Sequence, residues 1–339
     1  MPDLTRAIDI HAHIMPPKWD DLASRFGISG WPSVKQRSTC AACIMLGDRE
    51  FREVTDQCFV PARRISDMDS GHVHQQLLSP IPVLFCYWGS PEATAEFARI
   101  QNDFIAECVA KYPGRFLAAG TVAMQAPRLA IRELERIAGM GFQAVEIGTN
   151  VMGRYLDDPD VVEVLEAAAN LNLAVFVHPW DAIGEDRMRS YYLPHMVALP
   201  ADTALAIARL IFGGVLDRLP KLRIGFSHGG GSFLPLLARF DHGFKVRRET
   251  KVKIERPPSS YLHRLYFDSV THDPEIIQFM CRRVGSNRVM LGSDYPFDMG
   301  VEAPIALIDQ AKLPQSDREN ILYRTAEAFL DLKGAPAPC

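Results

Sequence analysis

Eight short apolar runs alternate with segments long enough to be helices, and this rhythm limits the folds open to the chain more than any other feature. The runs cover residues 7–11, 73–79, 116–122, 144–148, 174–178, 223–228, 265–268 and 288–292. Each is short enough to be a buried strand and too short to be a typical helix. Between them lie amphipathic stretches such as 91–112, 127–139, 159–170 and 203–219, several of which open at a proline, a residue already shaped for a first helical turn. Strand and helix in strict alternation predict a parallel sheet covered by helices. Eight strands with seven crossovers and a closing helix near 303–311 predict a (β/α)8 barrel, an α/β TIM-barrel fold. A doubly wound open sheet is the rival, but no G-x-G-x-x-G follows the first run.

One stretch breaks the rhythm. Residues 14–61 carry Gly27, Gly30, Trp31, Pro32 and Gly47, short β-like runs and no helical period. An insertion of that length after the first strand reads as a lid or small subdomain above the barrel mouth. Residues 315–332 read as a C-terminal helix and 333–339 as a frayed tail. The expected organisation is therefore one barrel domain over 1–332.

Charge and composition exclude some partners. The net charge is −4, with no long block of like charge, which argues against a nucleic-acid surface or a polybasic membrane face. The opening residues lack the basic start and apolar run of a secretory signal. The most apolar stretch, 204–216, contains Arg209 and is too short to span a bilayer, so a buried helix is expected there. Seven scattered cysteines in a chain of 339 residues fit reduced thiols in the cytoplasm. Cys40 and Cys43 have C-x-x-C spacing, but no second pair completes a zinc ribbon. They precede a β-like run rather than a helix, so they read as two thiols in a hairpin.

The chemistry-bearing residues emerge from a positional test. Barrel enzymes build their sites where strands end, not where they begin. His11 and His13 lie where the first strand ends, and residues two apart on a strand face the same way. His72 and His74 have the same spacing but lie where the second strand begins, which puts them at the wrong rim. His178 ends the fifth run, His228 ends the sixth and is followed by three glycines, and Asp294 follows the eighth. Three histidines and one carboxylate form a ligand set suited to a divalent ion of borderline preference, zinc first. With His11, His13, His178 and Asp294 filling that set, His228 is left as the base that takes a proton from water acidified by the ion. The fourth run has Glu146 and no lysine that could bridge a second ion, which favours one metal and an interior or supporting place for Glu146. Asp9 reads equally as a support behind the site or as a plain acid at a strand start. Gly229, Gly230 and Gly231 either let the backbone pass close to substrate or make a tight strand-to-helix turn. Arg52 in the insertion and Arg239 after His228 each read as a substrate-anion binder or as an ordinary solvated cation.

Four motifs then match a known pattern. Asp9-Ile10-His11-Ala12-His13, His178-Pro179-Trp180-Asp181, Phe226-Ser227-His228-Gly229-Gly230-Gly231 and Leu291-Gly292-Ser293-Asp294-Tyr295-Pro296-Phe297 resemble the amidohydrolase superfamily. Within it, the likeness is greatest to the decarboxylase branch and its 2-amino-3-carboxymuconate-6-semialdehyde decarboxylase family. The similarity extends through Pro82-Val83-Leu84-Phe85-Cys86-Tyr87-Trp88, Met124-Gln125-Ala126-Pro127, Leu199-Pro200-Ala201-Asp202-Thr203 and Arg256-Pro257-Pro258-Ser259.

That resemblance implies a mononuclear zinc carboxy-lyase acting on an unsaturated semialdehyde without redox chemistry, in tryptophan or related aromatic degradation. It implies His11, His13, His178 and Asp294 as ligands and His228 as base. It also implies Arg52 as a grip on substrate carboxylate, with Arg239 reaching the site from the neighbouring subunit of a homodimer. Tyr192 and His195 stand where the family commonly has tryptophans, and Phe59-Val60 where Trp-Asp is usual; these positions are expected to border the pocket. The alternatives are a decarboxylase of a hydroxylated aromatic acid, a zinc hydrolase on the same scaffold, and a silent metal-binding barrel. A silent barrel would have no use for the base at His228.

Overall fold

Three of the barrel helices start on one local device, in which a side chain caps the first turn, proline takes the first helical position and an acid follows. Ser90, Asp158 and Asp273 are the caps, accepting from the amides of Ala93, Asp160 and Glu275, ahead of Pro91, Pro159 and Pro274. The cap satisfies a free amide, proline needs none, and the acids Glu92, Asp160 and Glu275 favour the positive end of the helix dipole. This is a computed structural model, in which residues 6–332 are described; the expected tail at 333–339 lies outside them.

The eight expected strands form a single parallel sheet. In chain order they are Ile8–Ile14, Gln75–Pro80, Phe116–Gly120, Ala144–Gly148, Ala174–His178, Ile224–Phe226, Leu265–Asp268 and Val289–Met290. Neighbours in sequence are neighbours in the sheet, and backbone bonds close it from last strand to first. The amide of Ile10 donates to Leu291 at 2.9 Å, Asp294 donates to His11 at 2.8 Å, and His13 donates to Tyr295 at 2.7 Å. The fold is a (β/α)8 TIM barrel.

Inside the barrel, Ile8, Ile10, Leu77, Ala144, Phe176 and Met290 pack into one apolar cluster that also contains Phe329 and Leu330 of the C-terminal helix Thr325–Leu330. Residues from the chain's end thus share the barrel's interior core, and the histidine-bearing mouth is at the other end.

Some helix boundaries differ from expectation. The segment expected as one helix over 203–219 is two, Leu199–Phe212 and Val215–Arg218, broken where Gly214 takes the left-handed conformation at φ 71°. A wide turn over Pro194–Ala198 extends the first of these upstream. The run Pro194–Phe212 is therefore long and apolar enough, by length and composition, to cross a membrane, and half of its apolar window is buried in the fold. Likewise, a wide turn at Asn320–Arg324 joins Gln315–Glu319 to the C-terminal helix Thr325–Leu330.

The insertion folds as a short helix, Leu22–Phe26, and an antiparallel sheet of Pro32–Gln36, Ala41–Leu46 and Arg49–Thr55. Its apolar side, with Trp31, Ile44 and Val54, packs on Ile81, Leu84 and Phe97 of the barrel. Cys43 is buried in the middle strand and Cys40 is exposed outside it. Phe59 is buried in the core under the insertion and does not line the pocket, contrary to expectation.

Candidate metal centre

Register decides which side chains reach the barrel axis. In the first strand, Asp9 pairs with Gln76 but Ala12 pairs with Leu78, so one extra residue is accommodated between them. Such a bulge shifts the alternation of side chains by one. Ile8 and Ile10 face the interior cluster below it, while Ile14 packs in the outer layer and His11 and His13 turn inward above it. On the fifth strand the alternation is regular, and Ala174, Phe176 and His178 share the inner face. His228 and Asp294 lie past the ends of their strands in left-handed backbone, at φ 53° and 60°. Non-glycine residues rarely adopt that conformation, and it concentrates at functional sites.

Five donors meet at this rim. The ring centroids of His11, His13, His178 and His228 lie 4.9–5.2 Å apart in the close pairs. Nε2 of His11 and His13 are 3.1 Å apart, and Oδ1 of Asp294 is 3.4 Å from the former and 3.2 Å from the latter. The other carboxylate oxygen, Oδ2, faces Nε2 of His228 at 3.4 Å. Donor atoms of His11, His178, His228 and Asp294 all lie within 4.8 Å of one another, with His13 joined to the group through His11 and Asp294. His228 is the most exposed of the four histidines: its side chain is 20% exposed, while those of His11 and His13 are fully buried, although His13 and His178 also line the cavity.

The opposite ring nitrogens are occupied. Nδ1 of His11 is 2.5 Å from Oδ2 of Asp268, that of His13 is 2.7 Å from the Pro80 carbonyl, and that of His178 is 3.0 Å from the Pro179 carbonyl. A carbonyl or carboxylate oxygen only accepts, so in each case Nδ1 carries the proton and Nε2 keeps a bare lone pair. Bare lone pairs 3.1 Å apart repel. In addition, Nε2 of His178 and Oδ1 of Asp294 are buried with no hydrogen-bond partner. A buried polar atom left unpaired costs about 1–3 kcal/mol, and a cation among these donors removes that cost. The residues therefore fit a divalent ion, and a nitrogen-rich set with one carboxylate suits zinc or a neighbouring transition metal.

The charge states of His178 and Asp294 agree with that fit. Burial lowers the His178 pKa well below its usual value, helped by His228, His13 and His11, which keeps the ring neutral. Burial alone would raise Asp294, but His11, His13 and His228 overrule it and hold the carboxyl well below the carboxylate range. Burial also pulls His228 down, yet Asp294 more than offsets this and the net shift is upward.

Three supports around the donors have different standing in the sequence. Asp268 ends the seventh strand and so meets the same positional criterion as His178, though an aspartate there is less distinctive than a histidine. Besides His11, it accepts from the amides of Gly229 at 2.7 Å and Val270 at 3.1 Å, joining the histidine rim to the His228 turn. Arg64 is wholly buried, donates to the His13 carbonyl and to Gln76 at 2.7 Å, and lies 4.6 Å over the Tyr295 ring. Nothing in its sequence context marks it. Asp9, considered from the start, accepts from the Ser293 hydroxyl at 2.6 Å and Gln76 at 2.8 Å, bracing the residue before Asp294.

Glu146 points into the barrel, 3.8 Å from Nδ1 of His13, and burial pushes its pKa up to about 7. The glycines after His228 serve mainly the tight turn: a Cβ on Gly231 would stand 2.3 Å from the Pro200 carbonyl, and on Gly230 2.6 Å from Phe267.

Above the donors lies a cavity of about 410 Å³. Arg52 and Phe51 reach it together because a bulge in the insertion, where Ile44 pairs with Arg52 but Met45 with Glu50, leaves Phe51 as the extra residue. His195 also lines the cavity, and Tyr192 accepts from Arg52 at 2.9 Å. Arg239 does not line it; this residue is exposed on the helix Phe233–Val246. His72 and His74 lie just before the second strand, far from the mouth in the fold.

Comparison with known proteins agrees with this architecture. The amidohydrolase family model matches residues 8–332. The chain belongs to the amidohydrolase family. It is 40% identical to a 2-amino-3-carboxymuconate-6-semialdehyde decarboxylase of Dictyostelium discoideum, over 96% of this chain and 91% of the relative. The crystal structure of 5-carboxyvanillate decarboxylase from Sphingomonas paucimobilis superposes with a TM-score of 0.80 at 25% identity, covering 96% of this amidohydrolase and 99% of that chain. A dihydroxybenzoic acid decarboxylase from Polaromonas, solved with bound manganese, shares the fold with a TM-score of 0.78 at 22% identity, over 97% and 98% of the two chains.

Proposed function

We propose that this amidohydrolase is a metal-dependent carboxy-lyase that removes carbon dioxide from 2-amino-3-carboxymuconate-6-semialdehyde or a close analogue. The observation carrying this reading is a five-donor rim in a chain with 40% identity, over nearly its full length, to a decarboxylase of that substrate. A mononuclear zinc site held by His11, His13, His178 and Asp294 is the favoured arrangement, with manganese the rival ion.

A divalent ion held there supplies positive charge that stabilises electron density building up on the substrate. The protein's own residues supply the rest. His228, exposed to the cavity and hydrogen-bonded to Asp294, holds and moves a proton at Nε2. Decarboxylation replaces a carboxylate by hydrogen: the carbon bearing it gains a proton, the carbon–carbon bond breaks, and its electron pair restores the conjugated chain as carbon dioxide leaves. As base, the neutral ring takes a proton at Nε2 and, as imidazolium, returns it to the substrate carbon. Arg52 binds the substrate's anionic end, and the apolar walls, including Val83, Trp180 and Phe297, exclude water around the unsaturated chain. Arg239 completes the site from a second copy of the chain in a homodimer.

Decarboxylation of a hydroxylated aromatic acid is the second reading, supported by the likeness to 5-carboxyvanillate decarboxylase. Comparing kcat/KM for the semialdehyde with values for 5-carboxyvanillate and 2,6-dihydroxybenzoate separates the two. The proposal expects the semialdehyde to lead by at least about tenfold, a transition-state difference near 1.4 kcal/mol; a lead for either benzoate transfers the assignment.

A further inference from the structure

Among the described residues, three side chains that line the cavity keep a buried polar atom with no hydrogen-bond partner: Nε2 of His178, Oδ1 of Asp294 and Oγ1 of Thr271. The first two belong to the metal donors, which accounts for them. Thr271 stands outside that set. A Cβ on Gly229 would lie 2.7 Å from its methyl group, so the methyl packs on the turn that carries His228. Folded proteins pair nearly all their buried polar groups, and an unpaired hydroxyl in a cavity wall points to an occupant that pairs it. His272, next in the chain, also lines the cavity and is exposed. Its backbone is left-handed at φ 62° and is anchored on both sides. The amides of Val270 and Thr271 donate to Asp268 at 3.1 Å and to the Ser269 carbonyl at 2.9 Å, and Asp273 caps the helix Pro274–Val284. Non-glycine residues held in that conformation cluster at ligand-binding sites.

The chemistry of this wall differs from that of the insertion. Among the described residues, Arg52 is the only arginine or lysine lining the cavity, and it arrives from the insertion after the first strand. Thr271 and His272 follow the seventh strand, and the eighth strand lies between the two. A carboxylate pairs best with a guanidinium or a metal ion, whereas a hydroxyl and an imidazole suit an uncharged acceptor. We propose that Thr271 and His272 are specificity-determining residues that donate hydrogen bonds to a carbonyl oxygen of the substrate. The Thr271 hydroxyl pairs with that oxygen beside the His228 turn, and the His272 ring closes over it from the solvent side. The assignment rests on the decarboxylase reading, in which the semialdehyde supplies the carbonyl, and deepens it by naming the residues that recognise that group.

Binding without turnover tests the wall separately from catalysis. The three acetylbenzoates and the three ethylbenzoates are titrated calorimetrically into purified, metal-analysed protein; each matched pair differs only by a carbonyl oxygen in place of two hydrogens. At least one acetyl isomer is expected to bind about three- to tenfold tighter than its ethyl counterpart, as for one hydrogen bond. Thr271→Val keeps the side chain's shape and should erase that preference. Its Tm should hold or rise, because the hydroxyl has no partner to lose in the free protein. Thr271→Ser should restore the preference. His272→Gly, which adopts φ 62° without strain, should keep the fold and reduce the preference. The proposal is overturned if no acetyl isomer outbinds its ethyl counterpart, or if Thr271→Val lowers Tm and leaves the preference intact. Should His272→Gly fail to fold, the Thr271 pair of variants decides by itself. Carbonyl preference in a protein that releases no carbon dioxide would sink the decarboxylase reading and leave the wall standing; turnover without the preference would do the reverse.

Discussion

Nδ1 of His11 and Oδ2 of Asp268 meet at 2.5 Å, both fully buried, across the gap between the first and seventh barrel strands. Burial alone would raise the Asp268 carboxyl, but the His11 bond lowers it below its usual value, so the pair keeps the carboxylate ionised and the imidazole proton on Nδ1. Nε2 is thereby aimed at the metal centre. Asp268→Ala is expected to lower metal affinity by about 10- to 100-fold, measured by competition with a chromogenic chelator. Unchanged affinity would mean that His11 is oriented by the strand alone.

His228→Ala separates base from ligand. If His228 moves the proton, the variant keeps a full complement of metal by elemental analysis while kcat falls about 10²- to 10⁴-fold. Loss of the metal instead would make His228 a ligand, which its place among the four mutually close donors also allows.

Arg239 is exposed and outside its own chain's cavity, so in the proposed homodimer any effect it has on catalysis must cross between subunits. Arg239→Ala and His228→Ala should each be nearly inactive alone. Mixed after subunit exchange, they should recover activity toward about a quarter of wild type, since half of random dimers carry one intact site. Failure to complement, with exchange verified by native mass spectrometry, contradicts a shared site.

Glu146 makes the metal-free protein's stability depend on pH. Its folded pKa of about 7 lies above the value of 4.5 for an unperturbed side chain. Between those values the unfolded chain has lost the proton while the folded one retains it, so stability falls as pH rises. That contribution is fully present below pH 4.5 and is lost as pH passes through 7. In metal-stripped protein, Glu146→Gln should flatten the decline in Tm across this window; an unchanged slope assigns it to other groups.

The barrel was legible because strands buried on both faces read as apolar runs: 144–148, 174–178 and 265–268 agree with the strands at both ends. His11, His13, His178, His228 and Asp294 were legible because they stand at or just past strand ends. Asp268 met the same criterion and was missed only because it lacks a histidine's distinctiveness. Arg64 was illegible: its burial depends on Gln76, Tyr295 and the His13 carbonyl, none of them near it in sequence. The bulges that aim His11, His13 and Arg52 were equally hidden, since register depends on the partner strand. The break at Gly213 and Gly214 was present as two glycines, but the apolar period on either side masked it.

Metal-dependent decarboxylation is tested most directly by measuring carbon dioxide release against metal content. Protein stripped by a chelator, then reloaded with zinc or manganese, is given freshly generated 2-amino-3-carboxymuconate-6-semialdehyde while chromophore loss and carbon dioxide are followed together. Stripped protein should show no reaction and reloaded protein should recover it, with one carbon dioxide released per semialdehyde consumed. Undiminished turnover without metal, or chromophore loss without carbon dioxide, would contradict metal-dependent decarboxylation.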